Sequence, residues 1–177
     1  MKKLNIVAAL FLMVACAATP VLAQNVTNEV HAEQGDIDVL GGIGWGWKGF
    51  GISGGVEYIV QKFSIPDLPL SWGVMGLAGL DFGGVDVSAA GMATLHWGMK
   101  AYKDFPEFLQ NFDWYIGLGF GLGIVPFPPA FGLSTGGGVS YSVNDKLAID
   151  LHSFYIDYFA AGVSGFSQTI GVRYALE

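Results

Sequence analysis

Asp36, Asp38, Glu57, Asp81, Asp86, His96, Lys100, Asp150, His152 and Arg173 share a property: each alternates along the chain with large apolar residues. In an extended chain, alternate side chains point to opposite faces. These ionisable groups therefore fall on the face opposite the Ile, Val, Leu and aromatic residues. Acids outnumber bases on that face. Arg173 and Lys100 are its only cations within strands, and Lys146 stands at a turn. Charges withdrawn from water need partners. The final strand closes onto the first in a barrel, which would bring Arg173 to Asp36 or Asp38. Such a set could fill an interior with ion pairs, or line a polar path that favours cations.

Catalysis would need a base within reach of a nucleophile. His152 and Ser153 are adjacent, so they point to opposite faces. His96 with Asp86 or Glu57 is possible but unspecific. No residue set reads as a catalytic, cofactor-binding or metal-binding site, and the expectation is a protein that is not an enzyme. His31 reads as solvated. The Gly-x-Gly runs are not phosphate loops, because no helix follows a strand there.

The elements that must position these residues have a period of two. The stretch WYIGLGFGLGI puts Trp114, Ile116, Leu118, Phe120, Leu122 and Ile124 on one face and four glycines on the other. In a helix each interior glycine would cost roughly 1 kcal/mol against alanine. The same alternation marks strands at 35–47, 50–61, 71–82, 85–100, 114–124, 133–143, 146–157 and 166–176. Phe154 and Ile156 break the pattern late in the seventh. Gly83-Gly84 and Asn144-Asp145 read as tight turns. The longest connection, AYKDFPEFLQNFD, holds a short helix that Asp104 could cap, with Glu107 at capping-box spacing.

Composition decides which face meets what. The chain has 177 residues, enough for one domain, with 52% apolar, 13% charged and 27 glycines. That is about half the usual charge and about twice the usual glycine. Too few charges exist to solvate an exterior, and the Gly/Ser face suits the narrow interior of an eight-stranded barrel. The large residues then face lipid, as in membrane strands of about ten residues. Closure satisfies every backbone amide, which a bilayer requires. Two rims of aromatics emerge: Tyr58, Trp72, Trp97, Trp114, Tyr141 and Tyr174 at one end, and Trp45, Trp47, Phe50, Phe82, Tyr155 and Phe166 at the other.

Residues 1–23 read as a secretory signal peptide: Lys2 and Lys3, a short apolar run, then Val21-Leu22-Ala23 before Gln24. Met13-Val14-Ala15-Cys16 is a loose lipobox and an alternative processing site. Residues 24–34 read as a flexible lead-in and 35–177 as the barrel domain. Without Lys2 and Lys3, six basic residues face 15 acidic ones, a formal net charge of −9. That balance argues against nucleic acid as a partner.

Residues 35–177 resemble the small eight-stranded bacterial outer-membrane β-barrels, the OmpA transmembrane domain, OmpX and OmpW among them. The signal peptide, strand count, girdles and final alternating strand FSQTIGVRYALE carry the resemblance. It implies an all-β, antiparallel up-and-down transmembrane barrel in the cell outer membrane of a Gram-negative or other diderm bacterium. The partners it implies are outer-membrane lipid and the outer-membrane assembly machinery, and the state it implies is a monomer. Two departures stand out: the chain ends Tyr174-Ala175-Leu176-Glu177 rather than in an aromatic, and the connections after the first and third strands are tight. The expected role is structural or interactive, porin-like in build, with weak passage of small solutes left open. The alternatives are a lipid-modifying outer-membrane enzyme, a lipocalin-like periplasmic binding barrel and a helical inner-membrane protein.

Overall fold

The computed structural model describes residues 26–46, 49–63, 65, 68–83, 86–124, 129–159 and 164–176. The expected signal segment, Trp47 and the glycine of the Gly83-Gly84 turn at position 84 lie outside the described residues. Of Phe166 only the backbone is described.

Eight strands follow one another: β1 (Ile37–Gly46), β2 (Gly49–Lys62), β3 (Leu70–Asp81), β4 (Asp86–Gly98), β5 (Phe112–Ile124), β6 (Ala130–Ser142), β7 (Leu147–Tyr158) and β8 (Ser164–Leu176). Each pairs antiparallel with the next, and β8 closes onto β1 with Ile37 opposite Leu176 and Gly46 opposite Ser167. We call the end with Ile37 and Leu176 proximal, and the other distal. Closure leaves no sheet edge, so each strand's backbone groups find partners on both sides. One bulge interrupts the ladders, where β2 slips against β3 between Ile59 and Gln61. Ile59, just before it, is fully buried.

The faces separate as the period of two requires. Ile43, Ile52, Val74, Leu95, Leu118, Leu133, Leu151 and Ile170, one from each strand, are exposed on the outer surface. Inside, apolar side chains gather in one cluster. Leu40, Met75, Leu77, Ala90, Met92, Phe154, Ile156 and Tyr158 form one buried cluster, with the Tyr115 ring at its proximal edge. Phe154 and Ile156, which break the sequence pattern, are thus lumen-filling residues.

The glycine face of β5 makes room for them. A Cβ on Gly121 would meet the Ile156 side chain at 2.6 Å. A Cβ on Gly138 of β6 would meet the Tyr115 hydroxyl at 2.6 Å. In both places a neighbouring large side chain occupies the volume the glycine gives up. On the outer surface the small residues mean something else. Gly41, Gly76 and Gly91 have nothing within contact of a Cβ. With Gly54, Ala78, Ala89 and Ala93 they make the mid-height of β1–β4 smooth, while β5–β8 carry bulky side chains there.

Three expectations at the proximal end are corrected. Residues 26–34, expected to be flexible, are docked: Val30 and Ala32 are buried, and Thr27 N–H donates to Ala101 C=O at 2.8 Å. The chain folds back after β4 in a 3-10 turn, Met99–Ala101, and gives this segment an apolar seat. The helix in the long connection, α1 (Glu107–Gln110), starts after Pro106 and has no side-chain cap, so Asp104 and Glu107 form no capping box. Trp97, expected in the aromatic rim, is buried: Tyr102 covers it edge-on, and its indole N–H donates to the Tyr102 hydroxyl at 2.8 Å.

Gly121→Ala should lower stability by about 1–3 kcal/mol, because it overpacks a filled interior. Gly91→Ala, the same chemical change on the open outer face, should stay within about 0.5 kcal/mol. Urea unfolding midpoints of both variants, refolded into one lipid, check the difference.

Candidate functional site

The proximal half of the lumen holds a connected ionic cluster. It is built on inward positions of seven strands. β8 supplies Arg173, which is 7% exposed. Its Nη1 donates to Asp38 Oδ2 of β1 at 3.0 Å and to Glu57 Oε2 of β2 at 2.6 Å. Its Nε lies 3.7 Å from Asp150 Oδ1 of β7. Its guanidinium sits 4.8 Å over the Tyr115 ring of β5. One cation therefore ties four strands around the seam where the barrel closes. The expected partner Asp36 is not part of this. It precedes β1, and its carboxylate accepts from the Glu33 N–H at 2.8 Å, turning the docked segment into the first strand. Partial burial holds Asp36 above the usual carboxylate range despite that bond, and the charges of Asp38 and Glu33 add to the effect.

Two histidines extend the cluster. His96 of β4 donates from Nδ1 to Asp113 Oδ2 at 2.7 Å and from Nε2 to Glu57 Oε1 at 2.9 Å. Ionised carboxylates can only accept, so a ring between two of them carries a proton on each nitrogen. Its ring stacks on Tyr115 with centroids 5.2 Å apart. The Thr94 hydroxyl also donates to Glu57. His152 of β7 lies 2.6 Å from Asp150 Oδ2 through Nδ1. Asp150 also accepts from the Tyr115 hydroxyl at 3.1 Å and the Ser140 hydroxyl at 2.6 Å.

The other nitrogen of His152 lies 3.3 Å from Ser53 Oγ. Asp150, His152 and Ser53 thus have the connectivity of an acid, base and nucleophile. The serine is ill-placed for that work. It is 8% exposed, and its oxygen lies 2.8 Å from Thr169 Oγ1. It ends a buried hydroxyl chain.

The remaining expected residues fall elsewhere. Lys100 is exposed in the 3-10 turn beyond β4, outside the lumen. The alternation stops at Gly98, and with it the reason for Lys100 to point inward. Asp86 is buried at the distal start of β4, and Asp81 sits opposite it at the end of β3. His31, expected in solvent, bonds to the cap of the barrel: Nε2 donates to Gln110 C=O at 2.6 Å and Nδ1 lies 3.2 Å from the Ser142 hydroxyl. Sequence reasoning missed Asp113 and Tyr115. Both were legible: Tyr115 already stands on the glycine face of WYIGLGFGLGI, and extending the alternation by one residue adds Asp113 to it.

The aromatic rims are partly formed. At the proximal rim Tyr58 and Tyr174 are exposed, while Trp72, Trp114 and Tyr141 are partly covered. Distally Trp45, Phe50, Phe82 and Tyr155 are exposed, joined by Phe131 and Phe159, which the sequence did not single out.

No protein-family model and no curated protein sequence matches the chain. Solved structures do. A de novo designed transmembrane β-barrel superposes with a TM-score of 0.54 at 16% identity, over 81% of this chain and 98% of that one. The fold is that of an eight-stranded transmembrane β-barrel. Two natural proteins also align: neisserial surface protein A (TM-score 0.48, 16% identity, 78% and 95% of the two chains) and Ail, the attachment invasion locus protein of Yersinia pestis (0.47, 14%, 81% and 99%). At these TM-scores the two add nothing to the assignment, and at these identities the likeness extends to the fold alone.

Removing Arg173 would leave Asp38 and Glu57 buried without their cation. Arg173→Ala should cost about 3–5 kcal/mol, as breaking a buried ion pair does. Asp36→Ala should cost about 1 kcal/mol, the value of one hydrogen bond at a turn. An unchanged urea unfolding midpoint for Arg173→Ala would refute the role of the pairings.

Proposed function

We propose that this chain is an outer-membrane β-barrel protein with a structural or interaction role, a closed lumen and no catalytic activity. One observation carries the reading. Large apolar side chains ring all eight strands outside, while the buried acids, histidines and Arg173 of the cluster lie inside. A soluble surface rarely exposes a continuous apolar belt of this extent. A bilayer favours it, because lipid chains meet side chains of their own polarity while the closed ladders leave no backbone group unpaired.

The contents of the lumen support closure to solutes. From the proximal end a solute meets a fixed positive charge held by three carboxylates. From the distal end it meets Phe154, Ile156, Met75, Met92 and Leu40 in contact with one another. An ion crossing that tier would lose its hydration with no ligand to replace it. The partners in this reading are outer-membrane lipid and the assembly machinery that inserts such barrels, and the state is a monomer.

In detergent, the unboiled membrane-fraction protein should migrate differently on a gel from the boiled one. In planar bilayers the purified protein should give no steady conductance steps. The double variant Phe154→Ala/Ile156→Ala should show them if the apolar tier is the barrier. Steady steps from the unaltered protein would overturn the closed lumen and leave the membrane barrel standing. Recovery in the soluble periplasmic fraction would overturn both.

A further inference from the structure

Between the docked N-terminal segment and the ionic cluster lies a cavity of about 120 Å³ at the proximal end. Its wall includes Asp36, Asp38, Asp113 and Asp145, against Lys146 and Arg173. His31 also lines it. Its Nε2 donates to Gln110 C=O, and its Nδ1 lies 3.2 Å from the Ser142 hydroxyl. Four acids and two bases line the wall, a formal balance of −2 with histidine left out of the count.

Asp113 distinguishes the cavity from a chance gathering of acids. It is 4% exposed. Its Oδ2 accepts from His96, and its Oδ1 has no hydrogen-bond partner. A buried carboxylate oxygen without a donor is costly, so it calls for one from outside the described side chains. Asp38 stands on the same wall with only Oδ2 engaged by Arg173 among the hydrogen bonds described. Arg173 also carries two nitrogens without a hydrogen-bond partner, Nη2 and Nε, the latter 3.7 Å from Asp150 Oδ1. An anion there would gain those donors while lying among Asp38, Glu57, Asp113 and Asp150, and the Coulomb balance opposes it. No group of three or more His, Cys, Asp or Glu side chains is arranged to hold a metal ion, among the described residues. A larger cation, whose donors spread over several ångströms, suits acceptors that are separated.

We propose that the proximal cavity binds a small organic ammonium, its N–H groups directed to Asp113 Oδ1 and Asp38. That space admits an aliphatic amine or diamine of a few carbons. The site goes beyond the structural or interaction role proposed above and does not depend on whether the lumen conducts.

Titration calorimetry of the full-length folded protein in detergent, with 1,4-diaminobutane as the probe, tests it. Saturable binding is expected, weakening as salt is added. Asp113→Asn keeps an acceptor for His96 but puts an N–H₂ where the unpartnered oxygen was, so affinity should fall at least tenfold. Glu107→Gln, in α1 and outside the cavity wall, should leave affinity unchanged. If Asp113→Asn loses its heat-dependent gel mobility, and so its fold, Asp36→Asn serves in its place, with a smaller loss expected. No saturable heat with the diamine, equal affinity in a folded Asp113→Asn, or binding of sodium sulfate in its stead would each overturn the proposal.

Discussion

The structure depends on closing β8 onto β1. Until those strands pair, two edges of unsatisfied amides and carbonyls remain, and a bilayer cannot hydrate them. Arg173 sits at that seam and reaches both ways, to Asp38 and Glu57 on one side and toward Asp150 on the other. These partners belong to β1, β2 and β7, so the cluster assembles fully only in the closed form. The ion pairs are best understood as coupling closure to interior filling. Four buried carboxylates about one arginine would be a poor source of stability taken alone, since desolvation offsets much of the attraction. Two histidines that donate to them, and the hydroxyls of Thr94, Ser140 and Tyr115, make the arrangement tolerable.

The lumen has two tiers, and Tyr115 joins them. Its hydroxyl serves Asp150 in the ionic tier, while its ring lies at the edge of the apolar cluster and under the guanidinium. Glycines opposite the large residues let both tiers fill a barrel of only eight strands. A lumen of constant radius would otherwise admit either bulky side chains or a dense wall, and not both at the same height.

Much of this was legible in the sequence because the period of strands is rigid. WYIGLGFGLGI could only be an outward stripe with a glycine reverse, and Glu57, His96, Asp150, His152 and Arg173 fell on the inward parity. What failed did so at places where the period ends. Lys100 was assigned by continuing β4 past Gly98, where the chain turns; Trp97 lies within β4, and the Tyr102 that covers it comes from that turn. Asp113 was lost by starting β5 at Trp114, and Tyr115 was passed over among the glycines of its face. Phe154 and Ile156 read as noise because a polar lumen was assumed throughout. The docking of residues 26–34 had no periodic signal. It depends on the seat made by Met99–Tyr102, a long-range contact that alternation cannot encode. Which carboxylate would meet Arg173 was likewise a matter of strand register.

The outer surface is not the same all the way round. At mid-height β1 to β4 offer Gly41, Gly76 and Gly91, where no side chain stands between the backbone and its surroundings. In a bilayer an acyl chain on that side would lie against the peptide planes themselves, while on the β5–β8 side it must thread between Leu118, Phe120, Leu133 and Leu151. The barrel thus presents two textures to its solvent. The first layer of lipid would pack flat and ordered on one flank and remain kinked and mobile on the other.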